Sequence, residues 1–171
     1  MAGALAERLA KFGLRLHEDK TRLIEFGRFA AANRRRRGEG RPETFDFLGF
    51  THYCGNTLDG RFMVHRKTQR GRMIRKLKEL RQELKRRMHM RLGEQHGWLA
   101  RVMRGHYAYY GVTGNSYGLR RFHTQAVIAW HGILRRRGQK RRMSWDRFNA
   151  LLRANPLPPP RLAHIWRGRA T

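Results

Sequence analysis

The chain has 171 residues, with 39 Lys and Arg against 12 Asp and Glu, a formal net charge of +27. At 40% hydrophobic it has enough apolar content for a core, which argues against full disorder. The charge excess calls for a polyanionic partner, nucleic acid first and an anionic membrane surface second. The single cysteine, Cys54, excludes an internal disulfide framework and any multi-cysteine zinc site, and suggests a reducing compartment. No apolar run approaches the length of a membrane span. Glu7, Arg8 and Lys11 interrupt the N-terminal stretch, so it does not read as a signal sequence. The expectation is a soluble, cytoplasmic chain.

In chain order, Leu5, Leu9 and Phe12 recur at helical spacing and predict a helix over 2–12 that Gly13 terminates. The helix begins almost at Met1 without a strong cap, as the end of something longer would. Alternation at Leu14 and Leu16, and again over 23–26, predicts two short strands joined by a turn at 17–20. Residues 30–43 read as a polar loop carrying Arg34, Arg35, Arg36 and Arg37. Residues 45–50 read as an aromatic strand, with Gly49 marking a bulge or a close backbone approach. Asp59-Gly60 is a hairpin turn, and Phe62-Met63-Val64 is the returning strand.

After Lys67 the hydrophobic period becomes helical. Met73, Ile74, Leu77, Leu80, Leu84, Met88 and Leu92 predict one long amphipathic helix, and residues 66–91 hold twelve basic side chains against Glu79 and Glu83. Trp98, Leu99, Val102, Met103, His106, Tyr107 and Tyr110 form a second stripe, which 111–114 breaks. Asn115 or Ser116 can cap a third helix bearing Leu119, Phe122, Ala126, Val127, Trp130, Ile133 and Leu134. Residues 135–142 read as a basic turn, Ser144 caps a short fourth helix, and the run 156–160 ends it. The fold expected is α+β: a small antiparallel β region with one helix over 1–66, a bundle of three main helices over 67–155, and a Pro/Arg-containing tail over 156–171.

No complete catalytic constellation is visible. The four aspartates, Asp19, Asp46, Asp59 and Asp146, are all separate in sequence, whereas two-metal nucleotidyl transfer needs carboxylates converging on ions about 4 Å apart. No phosphate-cradling P-loop or His-Glu-x-x-His helix is present. His52 and Cys54 share one side of a strand, but two ligands make a poor site, and no metal is assigned.

Three blocks of sequence carry a resemblance. Gly13-Leu14-x-Leu16-x-x-x-Lys20-Thr21 resembles the segment that follows the catalytic palm of reverse transcriptases. Phe45-x-Phe47-Leu48-Gly49-Phe50 is similar to the primer-grip segment after it. Arg104-Gly105-His106-Tyr107 through Tyr109-Tyr110-Gly111-Val112 and Gly114-Asn115 resembles the maturase-specific thumb, or X domain, of bacterial group II intron proteins. The blocks occur in the family's order across most of 13–155. The resemblance implies a C-terminal part of a group II intron reverse transcriptase/maturase, with 1–66 as the end of the palm and 67–155 as the thumb.

Intact relatives bind intron RNA to assist splicing, and copy a primer–template with Mg²⁺ held by paired aspartates that this chain lacks. The resemblance therefore implies an RNA-binding chain with no cofactor of its own and no polymerase activity alone. By the same resemblance Lys20 lies near nucleotide phosphates, and Phe47, Leu48, Gly49 and Phe50 form the primer-grip-like element. The strand can also be simple core, or pack on one face while Gly49 admits a nucleic-acid backbone. Arg34, Arg35, Arg36, Arg37, Arg75, Arg81, Arg86, Arg87, Arg135, Arg136, Arg141 and Arg142 are the candidate phosphate contacts, since arginine's fork suits phosphate and folded RNA. Tyr109, off the apolar stripe, is the candidate for base stacking, while His106, Tyr107 and Tyr110 are expected in the core. Two other readings stay open: one piece of a split reverse transcriptase completed by a separately encoded palm, or a general basic nucleic-acid binder.

Overall fold

The computed structural model describes residues 2–17, 21–137 and 142–164. Their architecture is α+β, with a small antiparallel sheet followed by a run of helices. The chain divides into two compact units, one of residues 1–44 and 53–64, the other of 45–52 and 65–171. The sheet has the order β1-β2-β3, formed by Phe45–Phe47, Phe50–Asn56 and Phe62–Thr68. The division between the units falls inside β2 and β3.

The first unit contains two helices rather than the one expected. α1 spans Ala2–Ala10 and gives way to Gly13 in the left-handed region at φ 69°. Leu5 and Phe12 from its apolar stripe remain exposed. The two short strands predicted at 14–16 and 23–26 do not form; these described residues carry no ladder. Leu14 and Leu23 are exposed, so alternation there has no covering layer to turn it into a buried sheet face.

Part of the predicted arginine loop is helical, because α2 spans Ala30–Arg36. Alanine and arginine are both strong helix formers, and that propensity outweighs the like charge. Gly38 closes the helix at φ 71°. Its N–H donates to the Arg35 carbonyl at 3.1 Å and the Glu39 N–H to the Arg34 carbonyl at 2.9 Å, a Schellman pair that satisfies the last orphan carbonyls.

The predicted aromatic strand over 45–50 is broken by a turn. Phe47 pairs with Phe50, leaving Leu48 and Gly49 as a two-residue loop with φ of 48° and 79°. Positive φ at both central positions is what a type I′ hairpin turn demands. Asp59-Gly60 turns the chain as predicted, but it joins β2 to β3, with the Thr57 N–H donating to the Arg61 carbonyl at 2.8 Å.

The second unit holds the main core. α3 spans Arg70–Arg86, α4 Leu92–Tyr110, α5 Ser116–Arg137 and α6 Trp145–Ala154. The long helix predicted through Leu92 stops at Arg86, and Leu92 opens α4 instead. The reason is Gln95, which is fully buried. Its amide donates to the Met88 and Met90 carbonyls at 3.1 Å each, and its carbonyl accepts the Trp130 indole N–H at 3.0 Å. Gln95 thus bonds two carbonyls of the α3–α4 turn and ties the turn to α5, and the Arg137 guanidinium also donates to the Met90 carbonyl at 3.0 Å.

Leu77, Leu80 and Leu84 of α3, Leu99 and Met103 of α4, and Leu119, Phe122, Ala126 and Trp130 of α5 share one core with Phe148 of α6. Ser144 caps α6 as predicted, accepting the Arg147 N–H at 3.4 Å. Arg135 and Arg136, expected in a turn, belong to the last turn of α5, where cations favour the negative end of the helix dipole. The tail also packs in this unit. Leu157 is buried, and His164 pairs with Val112 in a parallel bridge.

Asn115, buried between α4 and α5, accepts the Thr68 N–H at 2.9 Å. Its amide donates to the Thr68 hydroxyl and the Tyr110 carbonyl at 2.8 and 2.9 Å. Within this unit those bonds fix the end of β3 against the end of α4.

Candidate nucleic-acid interface

Residues of α3 and α4 that line one cavity build the candidate site. Arg72, Arg75, Lys76 and Glu79 recur at three- and four-residue steps, which places them on one side of α3, beside the buried leucines. Val102, Gly105, His106 and Tyr109 do the same on α4. These faces enclose a cavity of about 410 Å³ that Tyr110 also lines. A second cavity of about 340 Å³ shares Lys76, Glu79 and Val102, and reaches Glu83, Arg86 and Trp98. The two form a furrow along α3 and α4, cationic on its α3 side, with tyrosines at one end and a tryptophan at the other.

Electrostatics follow from the partners. Lys76 lies 3.8 Å from Glu79. Glu83 accepts from both Arg86 and Arg87. Glu83 sits below the usual carboxylate range; burial pushes it up, and the bonds from Arg87 and Arg86 outweigh that. The Arg87 guanidinium lies 4.7 Å from the centre of the Trp98 ring, a cation–π contact that steadies the aromatic end of the furrow. Arg72, Arg75 and Lys76 therefore leave a local excess of positive charge facing the tyrosine end.

The β1–β2 hairpin reaches that same end within the second unit. Tyr109 donates its hydroxyl to the Leu48 carbonyl at 2.9 Å, and Phe50 packs against Tyr109 and Tyr110 with ring centres 6.0 and 5.3 Å apart. Asp46 accepts from the Thr51 hydroxyl at 2.6 Å and the Gln69 amide at 2.7 Å, which holds the base of the hairpin. Phe47 and Leu48 are exposed at the tip, and Phe50 is buried. At Gly49 the Tyr110 side chain comes close: a Cβ there would lie 3.1 Å from the Tyr110 hydroxyl.

The remaining candidates are dispersed. Arg34 and Arg37 of the first unit pair with Glu39, and Arg37 also with Glu25. Glu25 and Glu39 are held below the usual carboxylate range chiefly by their bonds from Arg37. Arg35 and Arg36 are exposed, and among the described residues no ion pair involves them. Arg81 bonds Gln125 at 2.9 Å, away from the furrow. Arg135, Arg136 and Arg142 are exposed, while Lys20 and Arg141 lie outside the described residues. His106 and Tyr107 are buried and Tyr110 half-buried, as their place on the apolar stripe predicts, and Tyr109 is exposed.

Arg72, Lys76, Glu79 and Trp98 were missed as a group. Their helical spacing was visible, but sequence alone does not pair the polar face of one helix with that of the next. A larger cavity of about 610 Å³ lies between α4 and residues 156–163. Prolines and apolar side chains dominate its walls, so it suits phosphates less well than the cationic furrow does. Among the described residues no group of three metal-ligating side chains exists, and no helix is long and apolar enough to cross a membrane. In comparisons with protein-family models, curated proteins and solved structures, nothing matches this chain.

Proposed function

We propose that this chain is an RNA-binding protein, the C-terminal part of a group II intron reverse transcriptase/maturase that contributes a thumb-like grip and no polymerase centre of its own. The observation that carries this reading is the α3–α4 furrow, where Arg72, Arg75 and Lys76 line one cavity together with Tyr109. Cations follow a phosphate backbone and aromatic rings accept unpaired bases, the combination that single-stranded and irregular RNA requires. Duplex DNA offers phosphates but keeps its bases stacked inside, so the tyrosine and tryptophan ends of the furrow gain nothing from it. The maturase assignment rests on the order of the three sequence blocks, with the aromatic hairpin standing beside the Tyr109-Tyr110 segment in one unit.

The reading is tested by competition for the full chain at one fixed salt concentration. A folded intron RNA is expected to outcompete duplex DNA of equal phosphate number by about 10-fold or more, the discrimination that one stacked base can supply. Equal competition by both would reduce the protein to a general basic binder.

A further inference from the structure

We infer that the cavity at the tyrosine end of the furrow receives a single nucleotide extruded from the RNA, rather than a stretch of helical backbone. The inference rests on the RNA-binding reading and adds the form of the ligand to it.

Shape is the first reason. Phosphates along a helix are met by convex, exposed arginines, but Arg72, Arg75 and Lys76 line a concavity of about 410 Å³, within the range of small-molecule sites, roughly 300–1,000 Å³. Chemistry is the second. Tyr109, exposed and with its ring also stacked against Phe50, lines the same cavity, and Glu79 adds a carboxylate acceptor. Cations for the phosphate, a π face for the base and an acceptor for an amino or ribose hydroxyl group together match one nucleotide.

His106 is the third reason. It lines the same cavity, is buried and stacked on Phe122 with ring centres 3.6 Å apart, and its Nε2 finds no protein partner among the described residues. Its burial and the nearby Lys76 ammonium keep the ring neutral, so the inner wall of the cavity is aromatic and uncharged, which suits a base better than a phosphate.

Gly105 provides a clean test. It lies on the cavity wall, and a Cβ built there meets nothing within 4 Å, so Gly105→Trp adds bulk to the cavity from an open helix position. Two RNA hairpins serve as probes, one fully paired and one carrying a single-nucleotide bulge. The wild-type chain is expected to bind the bulged hairpin about 10-fold tighter. Gly105→Trp should abolish that preference. Glu79→Ala, an exposed substitution, should reduce the preference in a chain whose melting is unaltered. Equal binding of the two hairpins by the wild type, with steep salt dependence, would overturn the nucleotide pocket and leave the RNA-binding reading standing. Preference that persists in both variants would also overturn it. Salt-independent binding of both hairpins would overturn the RNA-binding reading itself.

Discussion

Burial beside Phe122 and Tyr110 makes His106 hard to protonate: desolvation first, then the Lys76 charge, lower its pKa from the usual 6.5 to about 4. In the unfolded chain the ring protonates near its ordinary value. The unfolded state therefore binds the proton first as pH falls, so the contribution is complete above about pH 6.5 and is lost on the way down through about pH 4. Urea unfolding at pH 7 and pH 4 should show about 3 kcal/mol less stability at the lower pH from this residue. His106→Leu should remove its share of that dependence, while His123, whose pKa burial also lowers, and Glu25, Glu39 and Glu83, held below the usual carboxylate range, leave a remainder of the same sign. An unchanged pH profile in the variant would mean that His106 is not held neutral. At this scale the sequence was informative where a stripe decides burial, as for His106, Tyr107 and Tyr109. It was silent on the Arg37–Glu25 pair, because Glu25 is twelve residues away from Arg37 along the chain and only the fold brings them together.

The helix boundaries depend on residues that periodicity does not weigh. Leucine spacing alone extends α3 to Leu92, yet the turn over 87–91 is held by the buried Gln95 amide, with Arg137 also donating to the Met90 carbonyl. A polar residue inside an apolar pattern carries no signal of its partners, so the break was not legible. α2 was missed for the opposite reason: four arginines suggested a solvated loop, while the alanines and Gly38 spelled a helix with its cap. The α3, α4 and α5 stripes, and Ser144 as a cap, were readable because spacing alone determines them. Gln95→Leu should destabilise by about 1–3 kcal/mol through the groups it orphans. Leu80→Ala should cost about 2–5 kcal/mol through its cavity. Thermal or urea melts of both variants check this pair. If Gln95→Leu is neutral, the turn does not depend on the amide, and if Leu80→Ala is neutral, the core assignment is wrong.

A chain of charge +27 repels itself unless anions neutralise part of it. Its cations are not equivalent: Arg37 is engaged by two carboxylates, Arg81 by an amide, and Arg87 by Glu83 and Trp98. Arg72 and Arg75 in the furrow, and Arg35 and Arg36 on α2, have no acid in ion-pair range among the described residues and are the ones expected to meet phosphate. The overall class, α+β with a helical bundle after a small sheet, was readable from the change of period at Lys67, whereas the furrow depends on which residues of α3 and α4 come to line one cavity. Filter binding of a folded RNA over a salt series decides whether these cations act as phosphate ligands. With about 6–10 phosphates neutralised, affinity should fall about 10³–10⁵-fold between about 50 and 200 mM salt. Replacing Arg72, Arg75 and Lys76 with Gln should flatten the log–log slope by up to about three, replacing Arg35 and Arg36 by up to about two, and replacing Arg37 by close to nothing. A slope near zero in the wild type, or one that the furrow variant leaves unchanged, would contradict RNA binding through this face.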